Sequence, residues 1–233
     1  RALPEVDITD RTLKITLQSE AFEPEIRFTT DGTVPTRRSQ LYSEPFKIAE
    51  TSTIKAAVFV NGKSTNQVLS REYNLHKAFA AETELLYPAS QQYQAQGKFS
   101  LVDGIKGTRS FQDGNWKGFR GNDMVATIDL GKITSVESIE IGSLQSYGAW
   151  IFLPQWVTFE VSADGGEFSL LEKIINETSI LEMERKVKRF STSIPATNVR
   201  FVRVTAKSQG VCPPGHSGAG LPAWLFVDEI VVK

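Results

Sequence analysis

The chain has 233 residues, 40% of them hydrophobic and 23% charged, a globular composition that excludes a disordered chain. Its 26 Lys and Arg against 27 Asp and Glu leave a net charge of −1, which offers no electrostatic footprint for nucleic acid or an anionic membrane. No apolar run approaches the roughly 20 residues of a bilayer-spanning helix, and the length is comfortable for two domains.

The opening RALPEVDITD has neither an initiator methionine nor a signal-like apolar core, so the expectation is a piece cut from a longer chain. The first strand signal is TLKITLQ, with Leu13, Ile15 and Leu17 on one face and Lys14, Thr16 and Gln18 on the other. IRFTT then runs into TTDGTVPT, where Asp31-Gly32 is turn chemistry and the proline forbids ladder pairing. TIKAAVFVNGK alternates again, placing Ile54, Ala56, Val58 and Val60 inward before an Asn-Gly hairpin turn. A break falls near residues 74 to 83. Beyond it, strands fit MVATIDLG, SIEIGSL, WVTFEVSADGG, VRFVRVTA and LFVDEIVVK. SILEMERKVKRF has a helical look with a poor period. Short strands and frequent turn signals predict an all-β chain of two sandwich-type domains, residues 1–76 and 77–233.

The single cysteine, Cys212, allows no internal disulfide, and two histidines, His76 and His216, are too few for a histidine-built metal site. Cys212-Pro-Pro-Gly-His216 lacks the partners of a zinc site and the orienting group of a catalytic dyad. Three loops have the make-up a sugar needs, an aromatic plane with hydrogen-bonding groups around it. QDGNWKGFRGND carries Asn115, Trp116 and Arg120; LQSYGAWIF carries Gln145, Tyr147 and Trp150; SQGVCPPGHSGAGLPAW carries His216 and Trp224. Trp116 has a second reading as a plug at the end of the fold, and Trp156 and Trp224 read as packing residues. Asp113 and Asp123 share a loop region, but nothing in the spacing sets the separation that glycosidase chemistry requires.

Two resemblances extend this reading. FTTDGTVPT, LYSEPFKI and STIKAAVF.NGK.S, in order, resemble the small immunoglobulin-like domain at the C-terminal end of chitobiases and bacterial β-hexosaminidases, which is largely structural. LVDGIKGT, DGNWKGF, ATIDLGKITSVESIEIGSL, WVTFEVSADGGEF and WLFVDEIVV resemble the discoidin, or coagulation factor V/VIII type C, fold and its family-32 carbohydrate-binding modules. The implied architecture is a jelly-roll-like β-sandwich with loops gathered at one end. The second resemblance also implies a structural calcium ion that fastens the early loop to the last strand. Its ligands would be the side chains of Asp103, Thr108 and Glu229 and backbone carbonyls near Leu101, Ile105 and Thr108; an Asp-Gly turn without an ion is the other reading. The same resemblance implies sugar contacts from Tyr147, Trp150, His216, Trp116, Arg120 and Asn115.

Together these imply a noncatalytic tail of a secreted or periplasmic bacterial β-N-acetylhexosaminidase, working beside an upstream catalytic domain. Its expected partners are glycans ending in galactose, N-acetylgalactosamine or N-acetylglucosamine. A bracing or dimerisation role without sugar binding is the alternative.

Overall fold

The computed structural model describes residues 1–233, and the chain is all-β. It divides into two compact units, Arg1–Leu75 and His76–Lys233. In the first, strands β1 (Ala2–Asp7), β2 (Thr12–Leu17) and β5 (Phe46–Ile48) form one antiparallel sheet. Strands β3 (Glu25–Thr29), β4 (Gln40–Leu41), β6 (Ser52–Val60) and β7 (Lys63–Tyr73) form the other, in the order β4-β3-β6-β7. Phe28 of β3 and Phe46 of β5 stack at 4.3 Å and join the two sheets. Leu13, Ile15 and Leu17 are buried, as their alternation requires.

Strand β6 departs from strict alternation. A bulge between Ala57 and Phe59 in the β6/β7 pairing shifts the side-chain sequence by one. Phe59 is therefore buried, while Val58 and Val60, expected inward, are only partly covered. A larger aromatic gains the core place. The Asn61-Gly62 turn has positive φ at both residues, 47° and 69°, the geometry of a type I′ hairpin.

The second unit is built on two long strands, β10 (Met124–Gln145) and β13 (Lys186–Ala206), paired antiparallel through register shifts between Asp129 and Thr134 and between Val136 and Ser138. The first half of β10 also pairs with β8 (Glu82–Leu85), and its second half with β14 (Trp224–Val232). Strands β11 (Trp156–Ser162) and β12 (Ser169–Ile175) extend the sheet from β13, and β9 (Lys117–Arg120) extends it from β14. The bends let one sheet fold around a single core that includes Ile128, Ile141, Phe159, Phe190, Val204, Val227 and Ile230. SILEMERKVKRF forms no helix; its second half, from Lys186, enters β13.

Asp228 and Glu229 stand together opposite a single residue, because Ile141 pairs with Ile230 and Ser143 with Val227, leaving only Gly142 between. Both acids are fully buried. Gly142 has no side chain because the Arg189–Asp228 ion pair lies where a Cβ would stand. Gly142→Ala is expected to destabilise the second unit by about 3 kcal/mol or more, the cost of disrupting a buried ion pair. Gly148→Ala, where a Cβ meets nothing within 4 Å, should stay within about 0.5 kcal/mol of the parent. Chemical denaturation of the two variants checks both values.

Candidate functional site

The loop LVDGIKGTRSFQDGNW, residues 101 to 116, is held to the last strand by the two buried acids. Glu229 Oε1 accepts from the Gly104 N–H at 2.8 Å, and Oε2 accepts from the Asp103 N–H at 3.2 Å. His76 Nε2 lies 2.6 Å from Glu229 Oε1. Asp228 receives both guanidinium nitrogens of Arg189, at 2.6 and 2.7 Å, and the Gly107 N–H at 2.8 Å. Burial pushes the Glu229 carboxyl up to about 8. Burial, and then the Glu229 charge, drives Asp103 well above the usual carboxylate range.

This donor set does not fit the calcium cage expected from the sequence. A hard cation needs oxygens turned inward, and here the backbone around Glu229 presents N–H groups. Asp103 Oδ1 accepts from Ile105 N, the Leu101 carbonyl from Ile230 N, and the Thr108 carbonyl from the Trp116 indole. Thr108 Oγ1 accepts from Ser110 N. A cation at Glu229 would have to displace the imidazole of His76. The Glu229 carboxyl group itself ties the loop to the strand.

Trp116 is a core residue, 1% exposed, and is no sugar platform. Its indole N–H donates to the Thr108 carbonyl at 3.0 Å, and its ring fills the space beside Gly107 where a Cβ would overlap it. Neighbouring Asn115 is half-buried, and Arg120 is exposed with its guanidinium 5.5 Å from the Trp224 ring. Asp113 and Asp123 are engaged structurally: Asp113 accepts from Thr108 N and Asn115 N, and Asp123 from Lys207 and Ser208 N.

Tyr147, Trp150 and His216 are brought together. Tyr147 opens a single 3-10 turn, Tyr147–Ala149, and Trp150 ends it with φ +63°, a left-handed conformation that is unusual for a bulky residue. The turn is tied on both sides. Trp150 N donates to the Tyr147 carbonyl and Trp224 N to the Trp150 carbonyl, each at 2.9 Å. His216, expected to donate to a sugar hydroxyl, is 5% exposed and spends both ring nitrogens inside the protein. Nδ1 accepts from Gly218 N at 3.0 Å, so Nε2 carries the proton that reaches the Tyr147 carbonyl at 2.9 Å. Its ring packs edge-on against Tyr147 at 4.5 Å and Trp150 at 5.9 Å. His216 therefore positions the two half-buried aromatics. Gln145 is likewise buried and committed to the Glu182 carbonyl.

Three further half-buried rings, Tyr93, Phe111 and Trp224, surround the buried Phe226 at 4.7, 6.4 and 5.8 Å. Trp224 was read from sequence as packing only, and Tyr93 and Phe111 carried no signal, since each is an isolated aromatic in a polar segment.

With Glu229 as the fastener, Glu229→Ala should destabilise the second unit by about 3 kcal/mol or more, because three donors lose their acceptor. Calcium at a hundredfold excess over its Kd would add about 2.7 kcal/mol if it bound only the folded form. We expect calcium or a chelator to shift Tm by less than about 1 °C; a shift of several degrees in a thermal melt would restore the cation.

Residues 15–73 match a family model described as Fn3 associated. No curated protein matches the chain. Among solved structures, chitosan-binding module 1 from a chitosanase/glucanase of Paenibacillus sp. IK-5 is similar at 13% identity and TM-score 0.45, covering 68% of this chain and 98% of that one. A fucose-binding module of Streptococcus pneumoniae is similar at 16% identity and TM-score 0.45, covering 75% and 97%. A GH29 fucosidase of Ruminococcus gnavus, in complex with fucose, gives 15% identity and TM-score 0.44, covering 68% of this chain and 26% of that one.

Proposed function

We propose that the second unit is a noncatalytic sugar-binding module whose platform is Tyr147 and Trp150. The observation that carries this reading is the strained turn: the half-buried Trp150 is held at φ +63°, tied to Trp224 through its backbone and flanked by the His216 ring. Strain maintained by surrounding structure is characteristic of ligand sites, and a prefixed aromatic loses little entropy on binding. A pyranose lays its C–H face on such a ring and turns its hydroxyls to the rim.

The finer reading rests on the sequence motifs. On it, the chain is the C-terminal region of a secreted or periplasmic bacterial β-N-acetylhexosaminidase, with an immunoglobulin-like spacer before the module. The module holds terminal galactose, N-acetylgalactosamine or N-acetylglucosamine and raises local substrate concentration around a tethered catalytic domain. No helix is long and apolar enough to cross a membrane.

Calorimetric or NMR titration of the 233-residue chain with the three sugars tests the reading. Saturable binding with Kd near ~1 mM is expected, about −4.1 kcal/mol. Trp150→Ala and Tyr147→Ala should each weaken it by roughly tenfold, the loss of one stacked ring at about 1.4 kcal/mol. Absence of binding to any sugar by a folded chain would leave the bracing role.

A further inference from the structure

Arg185 is exposed and makes no ion pair, and its place in the fold is constrained. Its Nε donates to Ser146 Oγ at 3.2 Å, and Ser146 is the buried residue immediately before the Tyr147 turn. With Nε engaged, the two terminal nitrogens remain for a ligand. The guanidinium lies 5.9 Å from the Phe111 ring, and Phe111 contacts Tyr93 at 6.5 Å, which in turn contacts Trp224 at 5.3 Å. Arg120, also without an ion pair, lies 5.5 Å from the Trp224 ring of the same cluster. Several other cations of this unit are paired: Lys106 with Glu140, Arg189 with Asp228, Arg200 with Asp129 and Lys207 with Asp123.

From this juxtaposition, we propose that the module selects sugars bearing a carboxylate, with Arg185 as the residue that reads it and Arg120 as a second contact. The inference rests on the sugar-binding reading above and specifies its ligand class. A guanidinium fork matches a carboxylate in two parallel hydrogen bonds, which a hydroxymethyl group cannot reproduce. Anchoring by Ser146 removes much of the freedom that a surface arginine would lose on binding. The chain as a whole is near neutral, so such a preference is local and short in range.

The experiment titrates the 233-residue chain with methyl β-glucuronide, methyl β-glucoside and 6-sulfated N-acetylglucosamine at about 20 mM salt and again at about 500 mM. The glucuronide should bind at least about tenfold tighter than the glucoside, with a smaller advantage at high salt. Arg185→Gln should abolish the advantage; Arg185→Lys, which keeps charge without the fork, should restore only part of it. Arg120→Gln should reduce it less. Equal binding of glucoside and glucuronide would overturn the carboxylate preference while the sugar-binding reading stands. A preference for the sulfated sugar, or a glucuronide advantage that survives Arg185→Gln, would also overturn it. No binding by any of the three, and none by the neutral sugars tested above, would remove both.

Discussion

Glu229 is the point on which the second unit depends. A carboxyl group with no solvent exposure is expensive to bury, and its cost is offset only if its oxygens are met by hydrogen-bond donors. Here they are met by two consecutive N–H groups of the Asp103–Gly104 turn and by His76, a residue far away in the chain at the start of the unit. One side chain thereby joins the first residues of the unit, its longest loop and its last strand. Asp228, next to it, does the same for Gly107 and β13 through Arg189. The bulge opposite Gly142 makes this possible, because regular alternation would send adjacent residues to opposite faces.

The consequences run outward from that anchor. With residues 101 to 108 fixed, Trp116 can close over Gly107 and donate its indole N–H to the same loop. Trp116 then packs with Leu144, Ile151 and Phe226, and on this floor rest Tyr93, Phe111 and Trp224. Trp224 in turn pairs through its backbone with Trp150 and Phe152, which sets the Tyr147 turn. The half-buried aromatic rings at this end of the unit are thus positioned by a buried polar network behind them. The physical logic is that of supported sites generally: rigid placement comes from the residues behind the surface.

The interior histidines show two uses of the same ring. His76 meets a carboxylate and His216 meets a backbone carbonyl, and each also accepts a backbone N–H at Nδ1. Neither projects a free nitrogen toward solvent.

Much of this was legible in the residues themselves. Alternation marked β2 and, up to its bulge, β6, and Asn61-Gly62 marked a hairpin. The absence of a long apolar run already showed that no helix would be long and apolar enough to cross a membrane, because such a run is a property of the sequence that folding does not change. What only the tertiary structure decided is where polar groups find their partners. Whether Glu229 faces a cation, water or N–H groups depends on the direction of a backbone more than a hundred residues away. Bulges that move Phe59 inward and set Asp228 beside Glu229 leave no local signature. The pairing of Arg185 with Ser146, and of His216 with Tyr147, likewise arises from strands brought together across the fold, where sequence spacing carries no information about distance.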